Sequence, residues 1–343
     1  MRPNLWNRAR RGNGALLPLA AVLLLLQPSD VWVERDAVLM GATFHAYVGA
    51  RDRQHGLTTI DDAFGAVRHV DSLLSNWRED SQIGSLNRAP IGTAIHLNSE
   101  LYGMLVEARG WSEATGGAFD PGMGALTDAW DLRGSGRHPS PDELAAARAA
   151  SGLDQFVFDD QTHTVRRTLN DSWFDTGGFG KGIALRWARR ALREGGVESA
   201  LINFGGQILA IGSDEREQPW EVTVPHPSRR RTPAVTLAVR DASVSTTSQS
   251  ERFVTLYGAR FGHVLDPRSG TPVPAWGSVT VVADDPGLAD VMSTALFVMG
   301  PDSGLAWLGD RTDIAALFLV ERNGRLEPRM NPPMRRYVVR LPE

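Results

Sequence analysis

The stretch Asp175-Thr-Gly-Gly-Phe-Gly-Lys-Gly182 holds four glycines and one lysine in eight residues, directly after the apolar pair Trp173-Phe174. Glycine adopts positive φ without strain and has no side chain to keep a ligand away from the backbone. The next residues, 183–193, place apolar residues and arginines on opposite faces at helical spacing, which predicts an amphipathic helix. The positive end of that helix would face the glycines, so the stretch predicts an anion-binding loop to which Lys181 adds its charge.

Two familiar phosphate motifs do not fit this stretch. A P-loop needs a glycine five residues before its Gly-Lys pair and a Ser or Thr after it, but Asp175 and Gly182 occupy those positions. The glycines at 178, 180 and 182 also miss the spacing of the dinucleotide-binding fingerprint. A tight strand-to-helix turn without a ligand remains the alternative.

Length and composition exclude several classes of protein. The chain has 343 residues, enough for one large domain or two modest ones with a proper core. A net charge of -4 gives no reason to expect a nucleic-acid partner. The absence of cysteine excludes a disulfide framework, a thiolate metal site, a cysteine nucleophile and a lipid-modified N-terminal cysteine.

Residues 1–35 differ in composition from the rest of the chain. Four arginines, two of them adjacent, precede an apolar run over residues 15–26, which is the pattern of an export signal and is compatible with a twin-arginine route. The run is short for a membrane span, and no small-x-small cleavage site lies between Leu26 and Met40. We expect an exported protein, periplasmic or associated with the inner membrane on its periplasmic side, with residues 36–343 as one domain.

Hydrophobic periodicity gives a coarse fold. Residues 38–48 predict a first strand, with Met40-Gly41 placed where backbone could approach a ligand. Residues 59–74 and 287–299 predict helices, and paired short strands follow residue 200. Because helices and strands do not alternate strictly, the pattern favours an α+β fold with mixed or antiparallel sheets packed by helices.

Asp290 and Thr294 stand four residues apart on one face of an otherwise apolar helix. A buried charge needs a partner, and a few hard oxygen ligands suit Mg²⁺, which completes its shell with water and substrate phosphates. The alternative is that Asp290 interacts with the helix dipole and that Thr294 bonds back to a carbonyl.

Three other side chains have both a functional and an ordinary interpretation. His263, near the Asp266-Pro267 turn, could act as a general base or be structural. Trp77 follows a helix end beside small polar residues, where it could stack on a flat ring or cap the core. Asp120 is held in extended geometry by the proline that follows it, and could bind a ligand or be a turn residue.

Taken together, the motifs resemble those of the ApbE family of FAD:protein FMN transferases, over residues 38–322. In chain order they are Met40-Gly-Ala-Thr-Phe44, Leu74-Ser-Asn-Trp77, Ser81 to Asn87, Gly117-Ala-Phe-Asp-Pro121, Asp175 to Gly182, Asn203-Phe-Gly-Gly206, His263-Val-Leu-Asp-Pro267 and Asp290-Val-Met-Ser-Thr294. Each motif alone is weak, and it is their number and order that carry the resemblance.

The resemblance implies a T-fold-like domain that binds FAD and Mg²⁺ and transfers the FMN moiety to a Thr or Ser hydroxyl of an acceptor protein, releasing AMP. The acceptor would be a redox or membrane electron-transfer protein with an Asp-Gly-x-(Ser/Thr)-x-(Ser/Thr) type segment. His263 would be the base, and Gly180, Asp290 and Thr294 would bind the metal, Gly180 through its carbonyl. The FAD site would be lined by Met40, Trp77, Ala118, Phe119, Asp120 and Gly177, with Trp77 near the isoalloxazine and Asp120 near the adenine.

The chain departs from the family pattern at four points. Gly180 replaces the usual alanine, which a carbonyl ligand tolerates; Arg186 stands where an aspartate often faces the flavin; and Gln249 stands where glycine is common. The lipoprotein cysteine of many relatives is absent. Two other functions use the same residues: an FAD pyrophosphatase, in which water replaces the acceptor, and a flavin-binding protein without turnover.

Overall fold

An eight-stranded antiparallel sheet organises the chain. The computed structural model describes residues 31–249, 253–256 and 259–342. The sheet contains β1 (Val31–Leu39), β2 (Ala42–Ala50), β6 (Ser199–Phe204), β7 (Gln207–Ile211), β10 (Ala242–Ser248), β15 (Gly277–Ala283), β16 (Ala315–Arg322) and β17 (Arg325–Met330). These strands lie side by side in chain order, and every neighbouring pair is antiparallel. The sheet is therefore a meander from which long excursions are looped out.

Smaller sheets and helices fill those excursions. The other strands are β3 (Ile95–His96), β4 (Phe156–Asp159), β5 (Thr164–Arg167), β8 (Trp220–Pro225), β9 (Pro233–Val239), β11 (Phe253–Leu256), β12 (Ala259–Gly262), β13 (Leu265–Asp266), β14 (Thr271–Pro272) and β18 (Val338–Arg340). The α-helices are α1 (Arg53–Leu74), α2 (Gln82–Arg88), α3 (Ser99–Ala114), α4 (Gly124–Ala129), α5 (Pro141–Ala149), α6 (Gly180–Glu194) and α7 (Pro286–Leu308). The α+β prediction is confirmed.

Helices α1, α6 and α7 cover one face of the main sheet, and the sheet of β8, β9 and β18 covers the other. The larger core lies under the helices, where apolar residues of α6 and α7 such as Ile183 and Phe297 are fully buried. A second core lies between the two sheets, around residues such as Leu237 and Leu317. Helix α6 packs on both α1 and α7. The glycine stretch ends in the first turn of α6 and therefore lies near these two helices.

The predicted strand over residues 38–48 is wrong in one respect. The structure has two strands there, β1 and β2, joined by a tight turn at Met40 and Gly41, whose φ angles are 48° and 72°. Positive φ at both central residues suits a two-residue hairpin, but a methionine rarely adopts it. The sequence therefore carried no turn signal at Met40.

The ends of other elements also bear on the sequence predictions. Residues 31–35, which belong to the leader by composition, form the first part of β1 and pair with β2. Residues 1–30 lie outside the described residues. Helix α7 breaks at Gly300, where φ is 76°, and resumes at Pro301, so its first segment ends at the predicted residue, Met299. Within the part of the chain that the structure covers, no helix combines the length and apolarity of a membrane span.

Candidate active site

The glycine stretch forms an open loop that ends in the first turn of α6. Phe179 precedes the helix and provides no side-chain cap, and its ring is fully buried. Two hydrogen bonds of Thr176 fix the loop. The Thr176 hydroxyl donates to the Leu74 carbonyl at 2.8 Å, and the Gly180 N–H donates to the Thr176 carbonyl at 2.9 Å. Its backbone therefore has a defined shape although four of its residues have no side chain.

Helix α7 lies directly against this loop. The Gly182 N–H donates to Asp290 Oδ2 at 2.9 Å. A Cβ atom at position 182 would lie 2.5 Å from the Pro286 carbonyl oxygen and 2.7 Å from the Asp290 Cβ, so only glycine permits this approach. The two stretches that the sequence singled out thus meet at one point, the crossing of α6 and α7.

The oxygen atoms at this crossing are compatible with Mg²⁺. Asp290 is only 6% exposed. Thr294, one turn further along α7, makes a long bond of 3.5 Å from its hydroxyl to the Asp290 carbonyl. Gly180 lies in the same helical turn as Gly182. Among the described residues no group of three or more His, Asp and Glu could hold a metal ion. One carboxylate with neutral oxygens suits a cation that takes its other ligands from water and phosphates.

The loop after α3 packs on the glycine loop. The Phe119 ring would lie 3.3 Å from a Cβ atom at Gly178, and it makes an edge contact with Phe179 at 6.2 Å between ring centroids. On the other side, the Met40 methyl group would lie 3.4 Å from a Cβ atom at Gly180. Ala118 is buried beside Phe119. The structure therefore brings Met40 and Phe119 to the glycine stretch, and Ala118 is the chain neighbour of Phe119.

The Asp120 carboxylate hydrogen-bonds backbone of its own loop, which follows α3, and of the segment after α5. The carboxylate accepts hydrogen bonds from the Gly122 N–H at 2.7 Å and from the Leu153 N–H at 3.2 Å. Burial raises the pKa of this carboxyl above its ordinary value, although the two N–H groups oppose the shift. The Asp175 N–H donates to the Pro121 carbonyl at 2.7 Å, so the loop that carries Asp120 is also tied to the glycine stretch.

Trp77 is 74% exposed and does not cap the core. The Arg133 guanidinium lies over its ring at 4.9 Å and over the ring of Trp173 at 4.1 Å, both measured to the ring centroid. Arg133 also lies 3.7 Å from the Asp175 carboxylate, at the start of the glycine stretch. Sequence reasoning missed Arg133, because nothing in its surface turn marks it as a partner of two distant tryptophans.

Lys181 and Arg186, both on α6, have different surroundings. The Lys181 side chain runs past Gly205, where its Cδ would lie 3.7 Å from a Cβ atom, so it reaches the Gly205-Gly206 turn. Arg186 makes paired hydrogen bonds of 2.7–2.8 Å to Glu107 and of 2.7 Å to Asp285. Burial opposes the charge of Arg186, but the two carboxylates outweigh it and raise its pKa. Arg186 thus forms ion pairs that tie α6 to α3 and to the start of α7.

His263 lies half-buried between β12 and the short β13–β14 hairpin. The turn of that hairpin rests on α4 and α5, because the Trp130 indole donates to the Gly270 carbonyl at 2.8 Å and Arg148 donates to the Arg268 carbonyl at 3.1 Å. The Arg268 side chain would lie 3.6 Å from a Cβ atom at Gly117, which places the hairpin beside the loop that carries Phe119. Gly177, in contrast, is exposed, and its N–H donates to the Asp175 carboxylate at 3.0 Å.

Comparison with known proteins gives a consistent result. The sequence model described as the ApbE family matches residues 40–318. The FAD:protein FMN transferase of Treponema pallidum is 31% identical over 278 residues, which cover 76% of each chain. That of Klebsiella pneumoniae is 28% identical over 290 residues, covering 83% of this chain and 88% of the relative.

Solved structures show the same fold. The ApbE protein of Thermotoga maritima superposes with a TM-score of 0.78 at 28% identity, covering 87% of this chain and 96% of that one. The flavin transferase ApbE of Vibrio cholerae superposes with a TM-score of 0.79 at 22% identity, covering 90% and 99% of the two chains.

Proposed function

This chain belongs to the ApbE family, and on that premise we propose that it is an FAD:protein FMN transferase that uses Mg²⁺, acts on a Thr or Ser hydroxyl of an acceptor protein and releases AMP. The observation that carries the proposal is the contact of the Gly182 N–H with the buried Asp290 carboxylate. It sets a loop suited to a diphosphate beside an acidic group suited to a divalent cation.

The reaction replaces a phosphoanhydride bond of FAD by a phosphate ester bond to the acceptor. The acceptor hydroxyl oxygen bonds to the phosphorus on the FMN side of FAD, and the bond from that phosphorus to the bridging oxygen breaks. AMP leaves with the bridging oxygen, and the hydroxyl proton passes to the His263 imidazole. Mg²⁺, when held by Asp290, Thr294 and the Gly180 carbonyl, would neutralise charge on the two phosphates. The protein's own contribution is mainly to position the reactants.

Different residues around the loop would contact different parts of FAD. The exposed ring of Trp77, backed by Arg133, offers a face to the isoalloxazine. Phe119 and Met40 flank the glycines, where they would exclude water from the diphosphate. Lys181, beside Gly205, would supply a positive charge to the same anion. Asp120, in the loop tied to the glycine stretch, would face the adenine.

The direct test uses purified protein, FAD, Mg²⁺ and a carrier protein that ends in an Asp-Gly-x-(Ser/Thr)-x-(Ser/Thr) segment. We expect a fluorescent carrier band that survives denaturing electrophoresis, with AMP released in equal amount. AMP release without a labelled carrier would instead identify an FAD pyrophosphatase. Tight FAD binding with neither product would identify a flavin-binding protein.

Asp290→Asn tests the metal assignment with little change in volume. We expect labelling to fall by about 100-fold or more, because a neutral amide cannot neutralise the cation. The matched control is Asp310→Asn, which changes an exposed carboxylate just beyond the end of α7. Normal labelling by Asp290→Asn at ordinary Mg²⁺ concentration would refute the metal site.

We also propose that residues 1–30 direct export and that the acceptor is a redox protein of the same compartment, in the periplasm or at the inner membrane. The support is the arginine-rich start followed by the apolar run over residues 15–26. Cell fractionation of the full chain tests this proposal. Recovery in the cytoplasm, together with no effect of replacing Arg10 and Arg11 by lysine, would contradict it.

A further inference from the structure

One face of β10 carries a row of polar side chains into the core beneath α7. Residues two apart on a strand share a face. Ser245 and Thr247 both hydrogen-bond the Ser293 hydroxyl, at 3.1 and 2.8 Å, beside the α7 residues that would hold the metal. Gln249 directly follows the strand, two residues after Thr247. The polar residues of β10 that contact α7 therefore lie next to Gln249 in the chain.

The side-chain amide of Gln249 binds the segment that carries His263. It is 6% exposed. Its Nε2 donates to the carbonyls of Val264 at 3.0 Å and Val273 at 2.6 Å, and its Oε1 accepts from the Val264 N–H at 3.2 Å. Both backbone polar groups of Val264, the residue next to His263, are therefore held by one amide.

The Gln249 amide fits against the neighbouring backbone only because residue 262 is a glycine. A Cβ atom on Gly262 would lie 1.4 Å from Gln249 Oε1, so any other residue at 262 would expel the amide. The residues on both sides of His263 are thus fitted to Gln249. Val264 and Val273 also pair with each other, through an N–H to carbonyl bond of 3.0 Å, so the amide closes the open end of the β13–β14 hairpin.

We infer that Gln249 is a positioning residue for the transfer reaction: its amide fixes the backbone around His263 so that the imidazole meets the acceptor hydroxyl. The inference rests on the proposed function, in which His263 takes the proton. Catalysis by a positioned base is steep in distance, and an error of about 1 Å can cost about 100-fold in rate.

The chemistry of the contact requires glutamine. Two carbonyls need donors and one N–H needs an acceptor, and a primary amide supplies all three. A glutamate of the same shape is acceptor-only when ionised and would oppose the two carbonyl oxygens. Gln249→Glu and Gln249→Met therefore both remove the contact, the first by charge and the second by loss of polarity. Gln218→Met, at an exposed glutamine, is the control.

The experiment is a double-mutant cycle on the Mg²⁺-loaded enzyme with FAD and the same carrier protein. We expect Gln249→Met and Gln249→Glu each to lower kcat by about 10–100-fold while the FAD dissociation constant stays within about twofold. In a His263→Ala background the same changes should lower kcat by less than about twofold, because the group they position is gone. Gln218→Met should change nothing in either background.

Several outcomes would overturn the inference. They are an equal fall in kcat in both backgrounds, weaker FAD binding with normal kcat, an unchanged kcat, or loss of fold in both Gln249 variants. The first and last of these would make the amide merely structural. Failure of the proposed function looks different, since the parent enzyme would then not label the carrier, or His263→Ala would label it at the parental rate.

Discussion

Replacing Gly182 by alanine tests the helix crossing on which the proposed site depends. The new Cβ would lie 2.5 Å from the Pro286 carbonyl oxygen, whereas ordinary contact begins at 3.4 Å. The backbones of α6 and α7 therefore have to separate by about 0.9 Å, the difference between those two distances. Overpacking of this kind costs about 1–3 kcal/mol. Stretching the hydrogen bond from the Gly182 N–H to the Asp290 carboxylate costs about 1.5–3 kcal/mol more.

The expected result is a loss of about 2.5–6 kcal/mol in the free energy of unfolding, measured by urea titration of tryptophan fluorescence. Carrier labelling should fall by about 100-fold even where the variant is fully folded, because the loop and the carboxylate move apart by nearly 1 Å. Gly65→Ala is the matched control, since a Cβ atom there meets nothing within 4 Å on the exposed face of α1. It should stabilise the protein by about 0.5–1 kcal/mol. A Gly182→Ala protein with parental stability and parental rate would refute the reasoning.

Three further changes probe other parts of the structure. Arg186→Met should cost about 1–2 kcal/mol at pH 7, since the ion pairs are about one-third exposed. Burial works to raise the pKa of Asp285, but Arg186 lowers that pKa on balance. The difference in urea stability between the parent and Arg186→Met should therefore be complete above about pH 4 and vanish in stronger acid, where Asp285 is protonated. A difference that grows in acid would contradict this. Trp77→Ala should leave stability within about 0.5 kcal/mol and weaken FAD binding by about 5–10-fold in a fluorescence titration, and unchanged affinity would remove Trp77 from the flavin site. Arg167→Lys should cost about 1–3 kcal/mol in urea, because a lysine cannot serve the three backbone carbonyls that the buried guanidinium holds; parental stability would show that those bonds contribute little.

The helices of the core could be predicted because their buried apolar residues recur at helical spacing in the sequence. The helix predicted to end at Met299 does so, and the helix predicted to begin at residue 183 begins three residues earlier, at Gly180. Helix α1 starts well before its predicted first residue, at Arg53, because the Asp52 carboxylate caps the His55 N–H. Its first turn is polar, so no apolar period marked it.

The site was predictable only in its chemistry. A lone acid on an apolar helix face had to have a partner, and the Gly182 N–H is one that the structure shows. Long-range neighbours follow no local pattern, so the placing of Arg133 over Trp77 and of Gln249 beside Val264 could not be read from the chain. The turn at Met40 was missed for a different reason, since a non-glycine residue takes a backbone conformation that sequence rules assign to others.

The chain-order arrangement of strands in the large sheet has a consequence for biosynthesis. A polypeptide leaving the ribosome presents the glycine loop long before β15 and α7 exist, so Asp290 can reach Gly182 only after α7 has been made. In chains that end before α7, the Gly182 N–H therefore has no Asp290 carboxylate beside it. Under the proposed function such chains lack the acidic half of the site, and we expect chains stalled on the ribosome at residue 284 to retain no FAD.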